Sequence, residues 1–139
     1  MTEKIYSTQF GDIHYWVSDS FVPGRTTLVF LPGLTADHRM FQKQIEDFED
    51  KYNLLVWDAP GHFCSRPFTL SFSLTDKAAW LDAIFIREGI LNPVLVGQSM
   101  GGYVGQAYLQ QFPGKLAGFI SIDSAPLQRR YLKGGRSHS

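Results

Sequence analysis

The sequence predicts an α/β fold: a mostly parallel sheet flanked by helices and entered through an antiparallel hairpin. Three observations predict it. Short apolar runs recur at 27–31, 54–57, 94–96 and 119–122, the pattern of strands covered on both faces. Segments with apolar residues at helical spacing lie between them, long enough to carry the crossovers that parallel strands require. The first seventeen residues instead alternate around Gly11-Asp12, a strong short-range hairpin signal.

In chain order, residues 5–10 and 13–17 are read as the two hairpin strands, and Pro23-Gly24 as a turn before the first buried strand at 27–31. Residues 38–52 place Phe41, Ile45 and Phe48 at helical spacing, and the strand at 54–57 follows. The helix at 75–88 carries Ala78, Ala79, Leu81, Ile84 and Phe85 on one side. The strand at 94–96 leads into a helix running to Phe112, with Val104, Ala107, Tyr108 and Leu109 as its apolar residues, and Pro113-Gly114 ends it. The strand at 119–122 comes last, and no repeat or low-complexity linker interrupts the series.

Composition excludes several function classes. Thirteen basic and thirteen acidic residues cancel, which argues against a nucleic-acid partner, because phosphate affinity needs a concentrated basic face. Arg129, Arg130, Lys133 and Arg136 do cluster, but within a stretch that reads as a solvated tail. Cys64 is the single cysteine, so no intrachain disulfide forms, and a cytoplasmic location fits. Neither a signal peptide nor an apolar run of membrane-spanning length is expected. The four histidines lack zinc-ligand spacing, so neither a metal nor an organic cofactor is implied.

Chemistry concentrates at Gly97-Gln98-Ser99-Met100-Gly101-Gly102. The Gly-x-Ser-x-Gly pattern alone is weak, but here it follows a buried strand and opens a helix, the context in which a serine hydroxyl is lifted above a sheet on a strained turn. Gly97, Gly101 and Gly102 leave room for that turn. The helix N-terminus behind Ser99 adds partial positive charge, and the Met100 N–H is read as an oxyanion donor. A phosphate-binding loop would require a lysine that this stretch lacks.

With these residues the chain resembles the α/β-hydrolase superfamily of small serine esterases and hydrolases, from about residue 5 to 127. Three further stretches carry the resemblance. Residues 29–34, Val-Phe-Leu-Pro-Gly-Leu, are similar to the strand and loop that supply the second oxyanion donor, which the resemblance places on the N–H of Leu34. Residues 58–65, Asp-Ala-Pro-Gly-His-Phe-Cys-Ser, resemble an Asp-x-x-Gly-x-Gly-x-Ser loop in which Phe63 replaces the second glycine, so a reshaped loop is expected. Residues 121–126 resemble the strand end that follows the elbow helix.

The resemblance implies a serine hydrolase cleaving an ester or a related acyl or carbon–carbon bond, with Ser99 as nucleophile. Gly33, His38 and Tyr103 are pocket candidates, and a small molecule is the substrate of the full-length parent. The triad order is serine, acid, histidine, yet only forty residues follow Ser99. Asp123 is either the acid or a carboxylate capping a strand end. His14 reads as a structural residue of the hairpin, His38 as a pocket-mouth residue and His62 as a structural loop residue, while His138 falls in a Gly-rich tail. None of the four is expected to serve as the base. The chain is therefore divided into 1–127, the N-terminal portion of a truncated α/β-hydrolase domain, and 128–139, a tail or cloning scar. By itself it is expected to be nearly inactive and to form a homo-oligomer through its open sheet edge. The alternative is a non-catalytic binding or self-assembling scaffold of the same fold.

Overall fold

A computed structural model describes residues 1–33, 36–69 and 72–122. Six strands form one sheet: β1 (Thr2–Thr8), β2 (Gly11–Val17), β3 (Thr27–Leu31), β4 (Asn53–Trp57), β5 (Val94–Gln98) and β6 (Gly118–Ile122). Their spatial order is β1-β2-β4-β3-β5-β6. The hairpin β1–β2 joins the sheet antiparallel to β4, and the other neighbours are all parallel. The expected architecture is the observed one.

Alternation along the strands builds two cores. Val29, Leu31, Leu55, Trp57 and Leu95 point to the face covered by α2 (Leu74–Glu88) and α3 (Met100–Gln111), where they meet Leu81, Ile84, Phe85, Val104 and Tyr108. Phe30, Leu54, Val56 and Val96 point to the opposite face and meet Phe41 and Ile45. Each such large apolar side chain, once fully buried, contributes about 1.5–3 kcal/mol, so this two-faced burial is what holds the parallel strands together.

Several boundaries differ from the sequence reading for local reasons. The hairpin turn is Gln9–Phe10, and Gly11 already belongs to β2. Thr8 Oγ1 accepts from the Phe10 and Gly11 N–H groups and so closes the turn early. Gly11 serves a close approach instead, since a Cβ there would lie 2.7 Å from the Pro67 carbonyl oxygen and from the Phe68 ring. The helix expected at 38–52 is a 3₁₀ turn, His38–Phe41, followed by the short α1 (Gln42–Phe48), with Asp37 capping the turn by accepting from the Arg39 N–H. Phe48, Ala79 and Leu109 are exposed rather than buried. At 100° per residue, Ala79 falls outside the stripe that Ala78, Leu81, Asp82 and Phe85 bury.

The Pro-Gly pairs do act as turns. Arg25 N–H bonds the Val22 carbonyl and Lys115 N–H bonds the Phe112 carbonyl, with φ of 86° at Gly24 and 80° at Gly114, the positive value a type II turn demands at its third position. At α2 a Ser73–Asp76 capping box starts the helix one residue earlier than the apolar spacing indicates.

Candidate active site

Ser99 sits between β5 and α3 with φ 53° and ψ −117°, a backbone region that a side chain enters only at a cost. Its surroundings impose it. The Ser99 N–H bonds the Ile122 carbonyl at 2.9 Å, extending the β5–β6 ladder. The Ser99 carbonyl accepts from the Gly102 N–H at 2.9 Å, already within the first turn of α3. The chain therefore leaves a strand and enters a helix within one residue.

Glycine makes this possible. A Cβ on Gly97 would lie 2.5 Å from the Gly101 carbonyl oxygen and 2.6 Å from the Gly102 nitrogen. One on Gly101 would overlap the Leu31 carbonyl, so α3 packs its backbone directly onto β3. A Cβ on Gly33 would overlap the Gln98 side-chain oxygen and come within 3.0 Å of Ser99 Cβ. The loop after β3 thus lies against the serine turn. One turn further along α3, Gly105 admits the Phe119 ring of β6.

The other predicted residues are distributed as follows. Met100 opens α3, where the first amides of a helix point away from its body. Tyr103 is half-buried, and its N–H approaches the Ser99 carbonyl at 3.4 Å. Leu34, Asp123 and His138 lie outside the described residues. His14 bonds Glu3 through Nδ1 at 2.8 Å on the hairpin, and His62 Nδ1 lies 3.2 Å from the Pro60 carbonyl.

His38 has the most specific surroundings of the histidines in the described residues. Its backbone N–H and its Nδ1 both reach Asp58 Oδ1, at 2.8 and 2.9 Å, while the Cys64 N–H bonds Asp58 Oδ2 at 3.1 Å. Asp58 is fully buried, so it needs these partners. The His38 ring stacks on Trp16 with centroids 3.6 Å apart. Ser65, also fully buried, accepts from the His14 N–H and donates to the Asp58 carbonyl, pinning the 58–65 loop to β2. Sequence reasoning missed this link. The available signal was an aspartate directly following a strand buried at every position, because such a carboxylate must find donors.

Asp37, His38 and Asp58 bring ligand-type atoms within 4.8 Å of one another. Each is already committed within the chain: Arg39 Nε and Nη2 clamp Asp37 at 2.8 Å, and Nδ1 of His38 faces Asp58. The Arg39 hydrogen bonds hold the Asp37 carboxyl down at about 2. Burial, with Asp58 alongside, pushes the Cys64 thiol up, which keeps it protonated at neutral pH. The chain has no helix, among the described residues, long and apolar enough to cross a membrane.

Comparison with known proteins places this geometry in context. The chain is 36% identical over 118 residues to the 2-succinyl-6-hydroxy-2,4-cyclohexadiene-1-carboxylate synthase of Escherichia coli O1:K1, covering 84% of this chain and 46% of that protein. It is 32% identical over 105 residues to 3-oxoadipate enol-lactonase 2 of Acinetobacter baylyi, covering 73% and 38%. A likeness of 32% over 95 residues to the magnesium-chelatase 30 kDa subunit of Rhodobacter capsulatus covers 68% and 34%. The chain thus spans less than half the length of these relatives. Among solved structures, naproxen esterase of Bacillus subtilis superposes with a TM-score of 0.74 at 29% identity, over 85% of this chain and 41% of that one. The model of the α/β-hydrolase fold family matches residues 26–134, and the chain belongs to that family.

Proposed function

We propose that this chain carries the nucleophile of a serine hydrolase acting on an ester or a related acyl or carbon–carbon bond of a small molecule. One observation carries the reading: Ser99 is held at positive φ between a buried strand and a helix N-terminus, with glycines cleared around it. A serine with a purely structural role has no need of a strained turn. In the proposed reaction Ser99 Oγ attacks the substrate carbonyl carbon and the carbonyl π pair moves onto oxygen. The backbone N–H groups of Met100 and Leu34 stabilise that oxyanion. The serine proton passes to a base and then to the leaving group.

None of His14, His38 and His62 is proposed as the base; it is assigned instead to machinery beyond the described residues, with Asp123 proposed as its acid. The 139-residue chain alone is therefore proposed to turn over slowly, since loss of a triad member costs on the order of a thousandfold or more. A cytoplasmic location stays part of this proposal. The test is intact-mass labelling by a fluorophosphonate. Slow adduct formation on Ser99 is expected, with none in Ser99→Ala; equal labelling of the two proteins would refute Ser99 as the nucleophile.

A second reading, self-assembly, is favoured by β6. Ile120 pairs with Val96 in parallel register and shares its sheet face, yet it is 52% exposed while Val96 is 9% exposed. Phe41 and Ile45 cover that face over β3 and β4. We infer that a second copy covers Ile120 and Ile122, with β6 strands meeting edge to edge; neither chain carries net charge to oppose this. Light scattering at increasing concentration is expected to give a dimer for the 139-residue chain and a monomer for Ile120→Lys. A monomer throughout for the parent chain would sink it.

A further inference from the structure

The loop after β4 contains a second strained side chain. The Ser65 N–H bonds the His62 carbonyl at 2.8 Å, closing a four-residue turn with Phe63 in its second position. Phe63 has φ 37° there, in a place where turns that need positive φ take Gly, Asn or Asp. The loop therefore keeps a glycine-like conformation with a phenylalanine in it. The ring does not repay that strain by entering a core, because it stays 40% exposed.

Phe63 is nevertheless held firmly. The Arg39 guanidinium carbon lies 4.1 Å from its ring centroid, and Asp37 fixes that guanidinium through Nε and Nη2. The His38 ring lies 5.9 Å away, itself fixed by Asp58 and stacked on Trp16. Three aromatic or heteroaromatic rings and one planar cation thus form a connected, preorganised wall. Strand register locates it. Phe30 of β3 pairs with Val56 of β4 and with Val96 of β5, all parallel, so the loops bearing Phe63 and Ser99 leave the same end of the sheet. One strand, β3, lies between β4 and β5, the strands that lead into these loops, so those two strands run roughly 10 Å apart.

We propose that Phe63 is a specificity-determining residue: its exposed ring binds a flat, uncharged aromatic or conjugated ring of the substrate. This rests on the reading of Ser99 as the reacting group, which makes this end of the sheet the substrate side. The ligand is taken as uncharged because the one cation on the wall, the Arg39 guanidinium, is already paired with the Asp37 carboxylate.

The test is a titration of the 139-residue chain with 2-naphthol, followed by backbone amide shifts. Saturable shifts at His38, Arg39 and Phe63 are expected, at least fivefold weaker in Phe63→Ala and Phe63→Gly and unchanged in Ser99→Ala. Phe63→Gly is expected to melt above Phe63→Ala, because only glycine accepts the turn without strain; should the alanine variant fail to fold, the glycine variant carries the binding comparison. Naphthol binding that survives in the folded variant would overturn the proposal and leave the ring a shield over the Asp58–His38 pair. The Ser99→Ala arm keeps this outcome separate from the fate of the nucleophile, which the fluorophosphonate reports.

Discussion

Gly101→Ala is expected to be strongly destabilising, removing a large share of the protein's stability. The added Cβ would occupy the position of the Leu31 carbonyl, and backbone meets backbone there, so no side chain can swing aside. Relief requires sliding α3 off β3, which also loosens Val104, Ala107 and Tyr108 in the core beneath. We expect a loss of about 3–5 kcal/mol, in the range of severe overpacking, against a total stability on the order of 5–15 kcal/mol. Gly118→Ala is the matched control. Its Cβ would make ordinary contact with Val94 at 3.7 Å, and its stability is expected within about 0.5 kcal/mol of the parent. Urea unfolding of the two variants checks both values. Equal midpoints would mean that α3 does not lie as close to β3 as described.

Asp58→Ala is expected to be nearly as damaging, by a different route. It removes a fully buried carboxylate that accepts from the His38 N–H, His38 Nδ1 and the Cys64 N–H. Unpartnered buried donors each cost about 1–3 kcal/mol, and two loops lose their common anchor at once. A loss of about 3–4 kcal/mol is expected, together with release of the His38 ring from Trp16, visible as a change in tryptophan fluorescence. Asp58→Asn keeps one acceptor oxygen and is expected to lose about half as much. An alanine variant as stable as the parent, with unaltered fluorescence, would show that the loops hold without the carboxylate.

The two expectations differ in how far the sequence announced them. Gly101 was legible because the Gly-x-Ser-x-Gly spacing already implies a turn that needs room. Asp58 was legible only as part of a loop motif. Its partner His38 lies twenty residues earlier in the chain, and nothing in local spacing joins the two. Phe63 departs from the glycine of the loop pattern that its stretch resembles, which is the sequence signal for a reshaped loop. In the structure Phe63 takes positive φ itself, held by Arg39 and His38 from the 3₁₀ turn His38–Phe41.

By itself the sequence determined what depends on local periodicity: the strand–helix alternation, the Pro-Gly turns, the buried strand before Ser99 and the helix after it. Strands at 27–31 and 94–96 were readable because both faces are buried, which makes the apolar run uninterrupted. Only the tertiary structure decided which residues far apart in the chain share a carboxylate, a ring stack or a sheet face. Ile120 is the clearest case, since its hydrophobicity resembles that of Val96 while their exposures differ widely. Apolar character is a property of the residue. Whether anything covers it depends on the strand order and on where the helices lie.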